Sequence, residues 1–176
     1  QTSQTIAFKY DAPIITGVSP NPGSTAGGTV VVTGINFGTS ATVQFDSVTQ
    51  TTTAFTAHTS ISFTVPAGVG TAHTITVTCA GQVSAAFTWK YAAPTVTSLT
   101  TQGLATTGSV AVNFVGTGFG PSQAAAPMTV TIGLLPCTVS SHTDTTATCS
   151  LPAGSGTNRP ALLTVGGQSV TTATYT

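Results

Sequence analysis

The sequence predicts an all-β chain built from two small tandem β-sandwiches, and three observations support this. Helix is disfavoured, because the 176 residues include 19 Gly and 10 Pro but no Glu. Apolar residues alternate with Thr in short runs, which is the period of two of a half-buried strand. The chain also repeats itself after about 82 residues, a length that suits one small domain.

The internal repeat fixes the domain organisation. Three segments recur in the second half of the chain: Val65–Gly70 as Leu151–Gly156, Gly34–Gly38 as Gly116–Gly120, and Gly81-Gln82 as Gly167-Gln168. They place a first domain at 12–92 and a second at 93–176. The joint Lys90–Pro94 is short and contains a proline, so we expect a stiff rod rather than a flexible pair of domains.

Alternation and turn residues predict the strands of each repeat. In the first repeat they are Thr29–Thr33, Thr42–Phe45, Ser60–Val65, His73–Cys79 and Ser84–Tyr91. Ile75, Val77 and Cys79 share one face of the fourth strand. Phe87, Trp89 and Tyr91 line one face of the last, which we interpret as a core face rather than as a platform for sugar binding. Five short strands with turns between them are typical of a β-sandwich.

Charge is almost absent, which excludes several functions. The chain has three basic and three acidic residues, 3% of the total, against about 25% in ordinary soluble domains. Three basic residues cannot neutralise a run of phosphates, so we expect no nucleic-acid partner. No apolar run approaches the ~18 residues of a membrane span, so no membrane insertion is expected.

Hydroxyl groups replace charge as the source of solubility. The sequence contains 40 Thr and 16 Ser. This composition suggests an extracellular or cell-surface protein, and the start at Gln1 indicates a mature or excised fragment. No Asn-x-Ser/Thr acceptor occurs, so any glycans must be O-linked, on runs such as Thr49–Thr53 and Thr143–Thr148. The alternative is that Thr is frequent only because it suits exposed strand faces.

Residues 1–11 form a third copy of a strand that closes a repeat. Gln1–Pro13 aligns with Gln82–Pro94, since both have Gln, Ser, an alternating aromatic strand and Lys-Tyr-x-Ala-Pro. Ile6, Phe8 and Tyr10 are its apolar face. The corresponding face in the second repeat has only Thr171, Ala173 and Tyr175. We expect that residues 1–10 do not fold back on their own first domain, which already has a closing strand. They either complete a sheet in a neighbouring subunit or continue from an upstream repeat.

The turn motifs of the chain resemble those of the IPT/TIG domain. They are Pro13, Val18-Ser-Pro20, Gly27-Gly-Thr29, Gly34-Ile-Asn-Phe-Gly38, Val65-Pro66, Gly81-Gln82 and Tyr91. The second repeat departs from the pattern at Thr100–Gln102 and in a Pro/Ala-rich insertion at Gly120–Met128. The resemblance implies two tandem immunoglobulin-like β-sandwiches. It implies no single activity, because the family occurs in receptors, transcription factors and microbial surface proteins.

The same resemblance implies a disulfide between Cys137 and Cys149, since paired cysteines near these places commonly bridge in the family. The alternative is a reduced pair. A bridge would point to an oxidising compartment. Cys79 is left over; it is expected to be a buried thiol, with an intermolecular bridge as the alternative.

No catalytic, metal or cofactor site is predicted. His58, His73 and His142 have no ligand-type partners at metal-binding spacing. His142 and Asp144 lie beside Ser140 and Ser141, but five consecutive residues cannot form a catalytic triad, and a turn is the simpler interpretation. Gly34–Gly38 and Gly116–Gly120 resemble phosphate loops but have no following helix or Lys, so they are turns.

These inferences predict a non-enzymatic extracellular structural protein. We expect self-association of the chain into a surface fibril or filament, with Ile6, Phe8 and Tyr10 as the subunit-contact strand. The alternative is an adhesion or carbohydrate-binding module excised from a larger surface protein.

Overall fold

The computed structural model describes residues 8–101, 106–122, 125–155 and 159–172. These residues form strands, turns and irregular segments and contain no helix. The strands of the first domain are β1 (Ile14–Ser19), β2 (Gly28–Ile35), β3 (Thr42–Phe45), β4 (Val48–Gln50), β5 (Thr52–Thr56), β6 (Ser60–Val65), β7 (His73–Cys79), β8 (Gln82–Val83) and β9 (Phe87–Trp89). Those of the second are β10 (Thr95–Thr101), β11 (Val110–Thr117), β12 (Met128–Ile132), β13 (Leu135–His142), β14 (Thr146–Leu151), β15 (Ala161–Val165) and β16 (Gln168–Thr171).

The first domain is a sandwich of two antiparallel sheets. One has the order β1-β2-β6-β5, and the other has the order β4-β3-β7-β8, with β9 also paired to β7. This division of strands is that of an immunoglobulin-like sandwich. Alternate residues of β2, β3, β6 and β7 point inward, among them Val32, Val43, Ile61 and Val77. The sandwich therefore encloses one core of its own.

The second domain repeats this arrangement with one difference. All seven of its strands form a single hydrogen-bonded path, β10-β11-β14-β13-β12-β15-β16. The long strand β13 pairs with β12 through Leu135–Cys137 and with β14 through Thr138–His142. It corresponds to both β4 and β5, so it passes from one sheet to the other. The core of this domain is centred on Phe114, Phe119 and Leu163.

The structure matches three predicted strands in full and differs elsewhere. β3, β6 and β7 have the predicted bounds. Within the predicted strand Ser84–Tyr91 only β9, Phe87–Trp89, is a strand, and β8 precedes the predicted range. Pairing with β7 is interrupted after Ser84, whose N–H donates to the Val77 carbonyl while its Oγ, in place of its own carbonyl, accepts from the Val77 N–H. β1, β4 and β5 were not predicted, since they lack long apolar alternation.

Candidate functional site

An aromatic cluster fills the end of the first core that faces the second domain. The Trp89 and Tyr91 rings meet edge to face, with centroids 4.7 Å apart, and Phe45 lies 5.6 Å from Trp89. The Trp89 Nε1–H donates to the Pro20 carbonyl over 2.7 Å. The Tyr91 hydroxyl donates to the Pro66 carbonyl over 2.8 Å. Both large rings are therefore buried with their polar atoms satisfied, and the core interpretation of Trp89 and Tyr91 is confirmed.

A polar pair borders this cluster. Nδ1 of His73 lies 2.6 Å from Oδ2 of Asp46, and Nε2 of His73 lies 3.0 Å from the Val69 carbonyl. Both partners are acceptors, so both contacts are hydrogen bonds only when the ring carries both protons. The His73 ring also lies 4.9 Å from that of Tyr91. His73 thus ties the turn at Asp46 to the loop that carries Val69.

Two titratable side chains that contact the His73 ring, Asp46 and Tyr91, have shifted pKa values. Partial burial acts to raise the pKa of Asp46, but hydrogen bonds from His73 and from the Thr74 N–H, with the charge of His73, bring it below its ordinary value. Burial, followed by the charge of Asp46, raises the pKa of Tyr91 to about 12. Tyr91 therefore remains a hydrogen-bond donor to Pro66 at any physiological pH.

The lowered pKa of Asp46 predicts a pH-dependent contribution to stability. Folding favours the ionised carboxylate, so the contribution is present above the ordinary value of 3.8 and is lost as the pH falls below it. Asp46→Asn is expected to lower the melting temperature of the first domain at pH 7. The gap between wild type and variant should narrow as the pH is lowered below 3.8, as measured by thermal unfolding. Asp11→Asn is the control, and a gap that stays constant throughout the acid titration would contradict the assignment.

The joint between the domains is a packed interface. Val69 packs against the second core, and a Cβ placed on Gly120 or Gly166 would lie within 3 Å of the Val69 side chain. The Thr25 hydroxyl donates to Oδ1 of Asp144 over 2.5 Å, and the same oxygen accepts the Gly120 N–H at 3.1 Å. The absence of side chains at the two glycines therefore makes room for Val69. These contacts support the expected stiff joint.

One hydrogen bond of this joint has an equivalent between the first domain and the N-terminal segment. Nε2 of Gln168 donates to the Tyr91 carbonyl over 3.2 Å. Nε2 of Gln82 donates to the Tyr10 carbonyl over 3.0 Å. Gln82 and Gln168 have the same place in the repeat, as do Tyr10 and Tyr91. The end of the N-terminal segment therefore contacts the first domain through the same hydrogen bond by which the end of the first domain contacts the second domain.

The side chains of this N-terminal segment are exposed, unlike their counterparts. Phe8 and Tyr10 are 85% and 78% exposed and contact each other with ring centroids 5.6 Å apart. Trp89 and Tyr91, which occupy the same places in the repeat, are 0% and 1% exposed. Ile6 lies outside the described residues. The two described aromatics of the predicted contact strand thus form an apolar face on the surface of this chain.

An apolar groove of about 300 Å³ lies on the outer face of β12, β15 and β16. Its lining includes Leu134, Arg159, Pro160 and Leu162. Leu134 is 94% exposed, with φ at 80°, a conformation that bulky L-residues rarely adopt. The register shows that Thr76 has the place of Leu162 in the first domain. The groove is therefore a feature of the second domain, and its leucines are not required by the fold.

The other predicted residues have the following places. Cys137 and Cys149 form a disulfide between β13 and β14, with Cα atoms 5.5 Å apart. Cys79 is a free, half-buried thiol rather than the buried one expected, because it lies at the end of the first domain near Gly38. His58 is exposed. His142 is buried at the end of β13 rather than in a turn, and its Nε2 contacts the Ala126 carbonyl at 3.0 Å.

The ranges of the chain that the structure describes contain neither a candidate metal site nor a candidate membrane-spanning helix. No group of three or more His, Cys, Asp or Glu side chains there could hold a metal ion. Among the same residues, no helix is long and apolar enough to cross a membrane.

The sequence interpretation missed two polar contacts, one inside the first domain and one across the joint. Asp46 and His73 are 27 residues apart, and Thr25 and Asp144 are 119 apart, so no local pattern connects either pair. A signal does exist for the first pair, because the second repeat replaces both members together, by Gly133 and Arg159. A Cβ on Gly133 would lie 2.6 Å from the Arg159 side chain, so the two positions remain in contact.

The sheets, the repeat and the joint define a protein of tandem immunoglobulin-like β-sandwiches. The IPT/TIG domain model matches residues 13–91 and 94–176. The chain belongs to this family, which confirms the resemblance of the turn motifs. A search of curated protein sequences finds no match.

Comparison with solved structures matches the chain to parts of longer proteins. The surface glycan-binding protein PbSGBP-B from Prevotella bryantii has a TM-score of 0.51 and 14% identity, over 93% of this chain and 42% of that one. SGBP-B from a xyloglucan utilization locus of Bacteroides uniformis has a TM-score of 0.40 and 21% identity, and the match covers 94% of this chain and 49% of that one. The plexin A4 extracellular region has a TM-score of 0.45 and 16% identity, and the match covers 93% of this chain and 18% of that one. The chain thus spans less than half the length of each.

Proposed function

We propose that the chain is a non-enzymatic, extracellular structural protein, the building block of a surface filament assembled by strand complementation. Residues 1–10 of one copy complete the second domain of another copy. The observation that carries the proposal is the exposure of Phe8 and Tyr10 at places where the repeat otherwise buries Trp89 and Tyr91. Burying such side chains stabilises by roughly 1.5–3 kcal/mol each.

The second domain retains the groups that hold Tyr91 in the first. Tyr91 donates to the Pro66 carbonyl, and a Cβ on Gly68 would lie 2.9 Å from its ring. Pro152 and Gly154 have the same places in the second repeat. A donated strand would therefore bring Tyr10 against Gly154, with its hydroxyl directed to the Pro152 carbonyl. The closing residues 173–176 lie outside the described residues.

The extracellular location is supported by the disulfide and by the composition. A structural disulfide is characteristic of oxidising compartments. The 56 Thr and Ser residues offer acceptors for O-linked glycans on the sandwich surface. With six charged side chains in the whole chain, little repulsion opposes close packing of copies.

Deletion of residues 1–10 is expected to abolish assembly and leave both domains folded. The deletion removes the donated strand, whereas the cores in residues 14–172 remain. Assembly is measured by sedimentation over a range of concentrations and by electron microscopy, and folding by circular dichroism. Phe8→Ser/Tyr10→Ser should reproduce the loss, and Lys9→Ala, on the opposite face of the strand, should not.

Two outcomes would overturn the proposal. One is assembly of the deleted chain at the same concentrations as the intact chain. The other is an intact chain that stays monomeric both without and with glycosylation. The latter result would favour residues 1–10 as the continuation of an upstream domain.

The second candidate is an adhesion or carbohydrate-binding module. The groove beside Leu134 and Leu162 favours it, because these exposed leucines lie where the first repeat has Ser47 and Thr76, and together they line an apolar surface. Its lining is aliphatic rather than aromatic, which fits sugar rings less well. Titration calorimetry with a panel of soluble oligosaccharides tests it. Leu134→Ser/Leu162→Thr, which installs the residues of the first repeat, is the matched control, and binding lost in this variant would favour the alternative.

A further inference from the structure

The end of the first domain has the same construction as the joint surface of the second. The pairing of Cys79 with Gln82 matches that of Val165 with Gln168. The hydrogen bond from the Phe37 N–H to the His58 carbonyl matches that from Phe119 to Asp144. The residues at this end that correspond to Gly120, Asp144, Val165, Gly166 and Gln168 are Gly38, His58, Cys79, Ala80 and Gln82. We call these five residues the end face.

The end face shares two features with the joint surface. Gly38 keeps the glycine found at Gly120, and both have positive φ, 64° and 83°, but the place that Val69 takes beside Gly120 is taken beside Gly38 by the Cys79 thiol. Gln82 already makes the contact with Tyr10 that Gln168 makes with Tyr91. A single chain thus has, at its end face, features of one of the two surfaces that a second joint would need.

We propose that the end face is the docking surface for the loop at 152–155 in the second domain of another copy. The inference rests on the proposed function and names the surface that orients the donated strand. The loop Leu151–Gly156 repeats Val65–Gly70, so Ser155 has the place of Val69. When residues 1–10 of the copy that carries the end face close the second domain of the other copy, the contact of Gln82 with Tyr10 sets the two copies in the geometry of the joint inside the chain.

This contact between copies is expected to be weaker than the joint within the chain. Ser155 buries less apolar surface than Val69. Ala80 replaces Gly166, where a Cβ would lie 2.8 Å from the Val69 side chain. His58 replaces Asp144, the acceptor of the Thr25 hydroxyl. The loop alone would therefore bind poorly, and the donated strand supplies most of the affinity.

The thiol of Cys79 provides a direct test of this geometry. A Cβ on Gly38 would lie 2.6 Å from the Cys79 Sγ, and Val69 makes the corresponding contact with Gly120 in the joint. Ser155→Cys should thus place a second thiol against Cys79 of the next copy. Oxidised glutathione removes two electrons and two protons from the thiol pair and joins the copies by a disulfide.

The full chain with Ser155→Cys is expected to give a ladder of covalent oligomers on non-reducing gels. Peptide mapping should identify a bridge between positions 79 and 155. Cys79→Ser/Ser155→Cys is the first control and should lose the ladder above the dimer. Ser98→Cys, at another exposed position, is the second control, and it should give no bridge to Cys79 above background.

The outcomes separate this inference from the proposed function. Filaments that form without a bridge between 79 and 155 would overturn the docking surface and leave strand complementation intact. A chain that is monomeric and gives no bridge at any concentration overturns both. A bridge that persists after deletion of residues 1–10 supports the docking surface and contradicts the donated strand.

Discussion

Trp89→Ala is expected to destabilise the first domain by about 3–5 kcal/mol, the usual cost of removing a large buried aromatic side chain. Trp89 is completely buried and contacts Phe45 and Tyr91. The substitution would also leave the Pro20 carbonyl without its donor. Since a domain of this size has only about 5–15 kcal/mol of stability, much of the native population of the first domain would be lost.

The informative comparison is Phe8→Ala, at the equivalent place in the repeat. Phe8 is exposed in the single chain, so this variant should change the stability of the monomer by less than about 0.5 kcal/mol. If the strand is donated, Phe8→Ala should nevertheless weaken assembly strongly. Chemical denaturation of both variants at low concentration, with sedimentation of Phe8→Ala at high concentration, measures both effects. Equal stability of Trp89→Ala and wild type would refute the core assignment.

Cys137→Ala/Cys149→Ala is expected to cost the second domain about 3 kcal/mol, the value for a disulfide that closes a loop of this length. The bridge joins residues 12 apart in β13 and β14, and both sulfurs are buried in the second core. The first domain should keep its stability, because its core contains no residue of the bridge. The two transitions can be separated by calorimetry.

Cys79→Ser is the matched control for this experiment. Cys79 is unpaired and half-buried, so its replacement should leave the second domain unchanged. Reducing agent should reproduce the effect of the double variant on the wild-type chain. A double variant as stable as wild type would show that the bridge does not stabilise the native fold.

The success of sequence interpretation depended on whether the determining contacts were local. Strand β7 was predicted to the residue because Ile75 and Val77 alternate with Thr on a half-buried surface. β5 was missed because its sequence is mostly Thr, and Phe55 is its one partly buried apolar residue that packs on the core. The division of the last strand at Ser84 depends on hydrogen bonds to Val77, which propensity does not encode.

The candidate site was predictable only where the repeat supplied a comparison. The alignment of Phe8 and Tyr10 with Trp89 and Tyr91 predicted an extra strand, but the described residues 8–13 form no strand in the single chain. The contact of Gln82 with Tyr10 joins residues 72 apart in sequence. Its equivalence to the joint is recognised only by comparison with the contact of Gln168 with Tyr91. The sequence did not single out Leu134, since its exposure and positive φ are visible only in three dimensions.

The continuous strand β13 makes local unfolding of the second domain differ from that of the first. In the first domain, β4 and β5 belong to separate sheets with Thr51 between them, so one layer can detach while the other keeps its hydrogen bonds. In the second, β13 is hydrogen-bonded to β12 and to β14, and the disulfide joins its sheet-crossing segment to β14. Its amide protons should therefore exchange with solvent as one cooperative set, while those of β4 and β5 exchange at two distinct rates.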